Sequence, residues 1–282
     1  MSIGVFTAFL FATSILAGFL GSLTGLGGGV VIVPVLAILF HVDIRYAIGA
    51  SLVSVIATSS GTAVAYVREG LSNIRIGMFL EVATTMGALL GAYLTAKVSS
   101  HSIAIIFGAA LLYSAYASLR TFRTADSVAT VSEYVDPLAT QLRMNGSYPG
   151  PSGEQPYSAR HIPLGFGIMF GAGALSGLLG IGSGAVKVLA MDQAMKLPFK
   201  VSTTTSNFMI GVTAAASAGV YFSRGYIDPG IAMPVMLGVL AGSLIGVHVL
   251  VKARVAALKL IFGMVIILLG FEMIYSGWTG RI

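Results

Sequence analysis

Ten apolar blocks occupy most of this 282-residue chain. Most of them run for roughly 17 to 23 residues, long enough to cross a hydrocarbon core of about 30 Å. Only 9% of the residues are charged, whereas soluble domains carry about 25%. The sequence therefore predicts an all-α membrane protein. The blocks are residues 3–20, 29–40, 47–67, 75–96, 102–120, 162–180, 184–197, 203–222, 230–250 and 254–276.

The last five blocks repeat the first five. A shift of 155 residues, which carries Gly27 onto Gly182, aligns about a hundred positions without a gap. The same register matches less common residues, such as Tyr66 with Tyr221, which chance alignment of glycines would not do. We predict a first membrane repeat over 1–120, a hydrophilic central loop over 121–161 and a second repeat over 162–282.

Parity predicts how the two repeats are oriented. Each half crosses the membrane an odd number of times, whether its first two blocks both span or form a re-entrant hairpin. The second half is therefore expected to be inverted relative to the first. Inverted repeats recur in secondary transporters, which bind substrate near the membrane midplane between the halves.

The positions of the basic residues predict which side faces the cytoplasm. Cytoplasmic loops are enriched in lysine and arginine, and one set of loops carries most of them, the central loop included. The central loop is therefore expected in the cytoplasm and both termini outside. The richer set is Arg68, Arg75, Arg120, Arg123, Arg143, Arg160, Lys196, Lys200, Lys252, Arg254 and Lys259, against Arg45, Lys97, Arg224 and Arg281.

Each repeat opens with a glycine-rich break, over 21–29 in the first half and 176–184 in the second. Close helix packing needs one small residue per turn, and it explains Gly87 with Gly91 and Gly242 with Gly246, but not adjacent glycines. The breaks instead predict broken or re-entrant helices whose free N–H groups can bind an anion. The candidate substrate-binding residues here are Thr24, Gly27, Gly28, Gly29, Gly182, Ser183 and Gly184.

The helix after each break supplies further candidates. Arg45 and Lys200 are repeat partners that precede these helices, and they are either part of the site or ordinary interface anchors. Neutral hydroxyl and amide groups can bind an anion without a large desolvation cost. The candidates of this kind are Ser51, Thr204, Ser206 and Asn207.

Three charged residues lie within the apolar blocks, where such groups are costly and usually functional. Lys187 follows the second break by three residues and is expected to neutralise a bound anion. Asp192 either pairs with Lys187 or lies at the interface. Glu81 is a proton-coupling candidate, as is Asp192, with a structural hydrogen bond as the alternative for Glu81.

The doubled break resembles that of a known family. Gly21-x-x-Thr24-Gly25-Leu26-Gly27-Gly28-Gly29 with Pro34 recurs as Gly177-x-x-Gly180-Ile181-Gly182-Ser183-Gly184. This pattern is similar to that of the TauE/SafE family of sulfite exporters and anion permeases. The second copy departs from the first at Ser183, at Leu189 in place of proline, and at Lys187.

The resemblance implies a multipass inner-membrane carrier for sulfite, sulfonates, sulfoacetate or related small organic anions. Its expected partners are this anion, the lipid bilayer and a coupling ion, H⁺ or Na⁺, and a homodimer stays open. The chain has no cysteine and no metal-ligand spacing of histidines, so no metal or cofactor is expected. Nucleic-acid binding is not expected, because no basic run interleaved with aromatics is present.

Three other functional classes compete with a carrier. A passive anion channel could use the same breaks. An intramembrane enzyme is disfavoured because no HExxH or GxSxG motif occurs. A structural or sensory membrane protein would leave the duplicated breaks without a purpose.

Overall fold

The computed structural model describes residues 3–22, 28–68, 72–121, 136–150, 153–252 and 255–282. Within them the first half contains five helices, of which the second is short and continues as a π-helical turn over Val35–Leu39. These helices are α1 (Ile3–Ser22), α2 (Gly29–Pro34), α3 (Ile44–Arg68), α4 (Ile74–Leu94) and α5 (Ser100–Thr121).

The central segment and the second half follow the same chain order. The central segment contains α6 (Pro137–Gln141) and a hairpin of β1 (Gly146–Gly150) and β2 (Gly153–Tyr157). In the second half, α8 again continues as a π-helical turn, over Ala190–Ala194. Its helices are α7 (Ile162–Leu179), α8 (Gly184–Leu189), α9 (Phe199–Ser223), α10 (Pro229–Lys252) and α11 (Val255–Thr279).

The two halves have the same series of elements. Helices α8, α9, α10 and α11 each begin 155 residues after α2, α3, α4 and α5, the shift found in the sequence. Each short helix with its π-helical turn covers only eleven residues. At about 1.5 Å per residue it spans roughly half of the hydrocarbon core. These segments are half-helices, as the glycine-rich breaks predicted.

Glycines determine how the long helices pack. A methyl group at Gly87 or Gly91 would collide with the carbonyl of Phe170 or Ala174, so α4 lies directly against α7. Both contacts advance in the same direction, and the two helices are therefore parallel. The predicted packing role of this glycine pair is confirmed.

The equivalent pair is α10 with α1. Gly238 and Gly242 of α10 contact the backbone of Phe11 and Ile15, so this pair is also parallel. The packing role predicted for Gly242 is confirmed, whereas the surroundings of Gly246 lie outside the described residues. The first helix of each half thus packs against the fourth helix of the other half.

Two helices that are repeat partners run antiparallel. Gly49 near the start of α3 contacts Tyr226 just after α9, and Gly211 in the middle of α9 contacts Ser59. Helices α5 and α11 show the same relationship, since Gly108 contacts Gly270 while His101 contacts Gly277. Helix α4, in contrast, runs parallel to α9.

The central segment contains more structure than the predicted hydrophilic loop. Ala139, Met144 and Ala159 are buried in a cluster with Ile76 of α4. Asn73 caps α4 and donates from Nδ2 to the hydroxyl of Tyr157 at 2.7 Å. Burial raises the pKa of the Tyr157 phenol. The helix and hairpin therefore form a cap on the N-terminal end of α4.

An apolar face on the outside of the bundle fits a lipid environment. Met78, Val82 and Met86 follow one another at four-residue spacing on α4 and are exposed. The described residues of α4 and α7 are long and apolar enough to cross a membrane, with mean hydropathies of 1.4 and 1.7. Trp278 near the end of α11 is 83% exposed, as expected of an aromatic side chain at a membrane interface.

Candidate functional site

The second glycine-rich break is an irregular turn between α7 and α8. Gly180 and Gly182 have φ values of 68° and 71°, and Ser183 has a φ of 46°. This left-handed region costs a non-glycine residue about 1 kcal/mol or more, but glycine adopts it freely. The glycine run thus explains the break, while Ser183 is a strained position within it.

Both breaks meet between α3 and α9. Ser51 of α3 donates to the carbonyl of Gly180 at 2.8 Å. A methyl group at Gly29 would lie 2.5 Å from Ser51 Oγ and 3.0 Å from the Gly180 carbonyl oxygen. Ser206, the repeat partner of Ser51, donates to the carbonyl of Gly184 at 3.3 Å. The predicted residues Gly29, Ser51, Ser206 and Gly184 are therefore close to one another or to the opposite break.

A buried polar cluster lies beside the second break. Lys187 of α8 is 0% exposed, and its Nζ donates to Thr213 Oγ1 of α9 at 2.6 Å. The same hydroxyl donates to Glu81 Oε1 of α4 at 2.6 Å. We call Lys187, Thr213 and Glu81 the Lys–Thr–Glu cluster. It joins the consecutive helices α8 and α9 to α4, which is distant from both in sequence.

The carboxyl group of Glu81 is only partly satisfied by its neighbours. Thr85 donates to Oε1 at 3.2 Å, one helical turn further along α4. Among the described residues, Oε2 is buried and has no hydrogen-bond partner. Glu81 is 7% exposed, so this oxygen is also shielded from solvent. It is a free acceptor in an otherwise packed region.

The electrostatics of the cluster follow from this burial. A buried charge without a partner costs several kcal/mol, and the cost falls when an opposite charge is close. Lys187 and Glu81 have opposite charges joined through one hydroxyl group. The arrangement can hold a cation and an acid at membrane depth, and each can exchange its partner for an anion or a proton.

Other predicted residues lie elsewhere. Arg45 donates from Nη2 to the carbonyl of Val98 at 3.0 Å and contacts the Tyr226 ring. Arg224 donates to the carbonyl of Ala92 at 3.0 Å. Arg224 therefore binds a carbonyl in the last turn of α4, where such groups lack partners within the helix, and Arg45 binds one in the segment that follows α4.

The remaining candidates are scattered. Lys200 is exposed at the start of α9, and Asn207 is half-buried. Thr204 donates to the Lys200 carbonyl of its own helix at 2.9 Å. Asp192 interacts with Lys196 rather than with Lys187. Gly28 contacts Val239 of α10, and Thr24 and Gly27 lie outside the described residues.

Thr213 is the central residue that the sequence did not identify as part of the site. Its alignment with Thr58 was visible, but nothing in the sequence linked it to a charge. One signal was present: Thr213 lies seven residues after Ser206, two turns along the same face of a helix. The sequence also did not identify Thr85. Its contact with Glu81 depends only on its position one helical turn further along α4.

Similar proteins agree on what kind of protein this is. The family described as "Sulfite exporter TauE/SafE" matches residues 10–273. The "Probable membrane transporter protein YunE" of Bacillus subtilis (strain 168) is 28% identical over 95% of this chain and 97% of its own length. "Probable membrane transporter protein YdhB" of the same organism is 26% identical over 84% of this chain and 86% of its own.

A "Probable membrane transporter protein" of Xylella fastidiosa (strain 9a5c) is 25% identical over 95% of this chain and 94% of its own length. No solved structure matches the chain. The family match covers almost the whole chain and both glycine-rich breaks, and the resemblance predicted from those breaks is confirmed. The chain belongs to the sulfite exporter TauE/SafE family and is a membrane transporter.

Proposed function

We propose that the protein carries a small anion across the cytoplasmic membrane by alternating access. Sulfite, a sulfonate, sulfoacetate or a related organosulfur or carboxylate anion would be the substrate, and its movement would be coupled to an ion. The observation that carries the proposal is Lys187, which is a fully buried cation in the half-helix that follows the second break.

A buried lysine favours an anionic substrate for a physical reason. Nearly all of its charge is stabilised by its immediate partners, because water does not reach it. In this site those partners are one hydroxyl group and one carboxyl group. An anion that enters beside α8 would find a cation already desolvated, so its binding would not require the cost of stripping water from Lys187.

The arrangement of helices supports the alternating-access part of the proposal. Inverted repeats allow one half-site to open on each side of the membrane. The antiparallel directions of α3 and α9, and of α5 and α11, are those that an inversion of residues 162–282 relative to 1–120 requires. The central loop would then face the cytoplasm and the termini the outside.

Transport assays on Lys187→Met test the proposal. Wild-type protein in proteoliposomes is expected to accumulate at least one anion of a panel against its gradient. The panel is sulfite, sulfate, thiosulfate, taurine, sulfoacetate, isethionate and short carboxylates. Lys187→Met is expected to lose accumulation and the thermal stabilisation by that anion, because the buried cation is absent.

Lys97→Met is the matched control, since it removes a lysine from an exposed position, where its ammonium group lies over the Tyr93 ring. Its transport should equal that of the wild type. Unchanged affinity of Lys187→Met for every transported anion would remove Lys187 from the site. Flux that only ever runs downhill and without coupling would instead indicate a passive anion channel.

A further inference from the structure

We propose that Glu81 is the internal counter-anion of Lys187, and that the substrate replaces it while Glu81 takes up one proton from solution. Anion and proton would then cross the membrane together. This inference rests on the proposed function, and it names the coupling ion and the acid that binds it. It is carried by the geometry of the Lys–Thr–Glu cluster.

The hydroxyl of Thr213 separates the state in which Glu81 is charged and linked to Lys187 from the state in which Glu81 is protonated and released. It has one hydrogen, and three acceptors lie within reach: Glu81 Oε1 at 2.6 Å, the Met209 carbonyl at 2.9 Å and, more distant, Thr84 Oγ1 at 3.5 Å. While Glu81 is charged, Thr213 donates to it and accepts from Lys187. Once Glu81 is protonated, the hydroxyl can turn to Met209, and the link between acid and lysine is broken.

Glu81 has a position at which the proton can reside. Its Oε2 is buried without a hydrogen-bond partner among the described residues. Protonation at this oxygen leaves the bond from Thr85 to Oε1 in place while Thr213 turns away, so Glu81 stays held on its own helix. The carboxyl group can therefore change its charge without a change in packing.

No other described charge competes for this role. Helix α4 packs against α7 and α9, and α7 contains no ionisable residue over Ile162–Leu179. On α9 the ionisable groups are at the two ends, where Lys200 is exposed and Tyr221 bonds to Thr95. The other ionisable groups of α4, Arg75 and Tyr93, are likewise near its ends and exposed. Lys187 of α8 is the charge that acts on Glu81.

The requirement that the cluster stay electrically neutral within the membrane gives the number of protons per anion. Before binding, the cluster contains Lys187 as a cation and Glu81 as an anion. With a monovalent anion bound and Glu81 protonated, it again contains one cation and one anion. The net charge stays at zero in both states, which avoids the high cost of carrying an unpaired charge through hydrocarbon. One proton per monovalent anion is the number that satisfies this condition.

Calorimetry on the purified wild-type protein tests the inference. Isethionate, a monovalent sulfonate that does not titrate near neutral pH, and sulfate are the probes. Binding is measured in two buffers with different ionisation enthalpies, so the difference in heat counts the protons taken up. About one proton per isethionate is expected, and affinity should increase up to about tenfold for each pH unit lowered while Glu81 is ionised before binding.

Glu81→Gln separates this inference from the proposed function. Glutamine keeps the shape and an acceptor oxygen but cannot bind a proton, so the variant should bind isethionate with no proton uptake and no dependence on pH. In proteoliposomes it should exchange the anion but fail to accumulate it in response to a pH gradient. Glu154→Gln in β2 is the matched control, because it makes the same change in an exposed acid outside the Lys–Thr–Glu cluster, and proton uptake should remain.

The outcomes are distinct. Anion binding by the wild type without proton uptake overturns the inference while leaving anion transport intact, and the wild-type measurement needs no variant to fold. Proton uptake that persists in Glu81→Gln assigns the proton to another group and also overturns it. If no anion of the panel binds to the wild type, the proposed function fails, and this inference fails with it.

Discussion

The two halves of the molecule share a backbone plan but differ in chemistry at the equivalent place. Lys187, Thr213 and Glu81 correspond to Ile32, Thr58 and Met236 at the shift of 155 residues. Ile32 is 0% exposed, as is Lys187. Thr58 donates to carbonyls of its own helix at 3.1 and 3.2 Å.

This comparison separates what the duplicated backbone plan requires from what is added beside one of the two breaks. Both halves need a break, a half-helix and a hydroxyl-bearing long helix, and both have them. The ionisable pair, Lys187 of the second half with Glu81 of the first, is present beside the second break only, although Ile32 at the equivalent place beside the first break is equally buried. The duplicated backbone plan therefore provides a buried position on each half-helix. The residue at that position decides whether it belongs to an apolar core or to a charged site.

Ile32→Lys gives the largest expected effect. It would put a lysine into the equivalent buried position, where the repeat partners of Thr213 and Glu81 are Thr58 and Met236, neither of which is an acid. An unpaired buried charge costs several kcal/mol, so the midpoint of thermal unfolding in detergent should fall steeply.

Ile32→Met is the control and should cost under about 1.5 kcal/mol. The double variant Ile32→Lys with Met236→Glu should recover part of the lost stability. If Ile32→Lys is as stable as the wild type, the acid and hydroxyl around Lys187 are not what makes its burial tolerable, and the comparison breaks.

Thr213→Val is expected to have the next largest effect. Valine keeps the shape but removes the hydroxyl that joins Lys187 to Glu81, and hydrogen bonds to charged groups contribute about 1.5–3 kcal/mol. Thr58→Val is the matched change in the first half and should cost no more than about 1 kcal/mol. Chemical or thermal unfolding of both variants gives the difference, and equal losses would contradict the asymmetry.

The smallest effect concerns the residue that starts each half-helix. Gly28 has a φ of −62°, whereas its partner Ser183 has a φ of 46°. Ser183→Gly should relieve left-handed strain of about 1 kcal/mol, offset by about 0.5–1 kcal/mol from the more flexible unfolded chain. Its stability should therefore change little.

The reverse exchange should be more harmful. A methyl group at Gly28 would lie 2.5 Å from Val239 Cγ1, and overpacking of this kind costs about 1–3 kcal/mol. Thermal unfolding of Gly28→Ser and Ser183→Gly should therefore show a larger change for the first. The opposite order would mean that the two breaks do not differ in the way described.

The sequence predicted the duplicated series of helices and the positions of the breaks well, because runs of glycine interrupt helices locally. The 155-residue shift matches the starts of four pairs of helices, and α2 and α8 begin where the glycine runs end. The conformations within the breaks did not follow, since the glycine in the first break is right-handed and the serine in the second is left-handed. Packing against Val239, not local preference, distinguishes these positions.

The charged site was predicted only in part. Lys187 and Glu81 were identified one at a time because each is an ionisable residue in an apolar block. Their proximity depends on the parallel packing of α4 with α9, which no sequence interval shows. Asp192 looked like a closer partner for Lys187, but five residues on a helix turn it about 140° away.

The exchange of first helices between the halves has a consequence for how the protein is made. Helix α1 packs against α10, so α1 is synthesised long before the helix that it contacts. Helix α4 likewise packs against α7, which is synthesised later. The first half cannot complete its own packing, and assembly in the bilayer depends on late, long-range contacts. The two halves expressed as separate chains should therefore associate, with each supplying the helix that the other lacks.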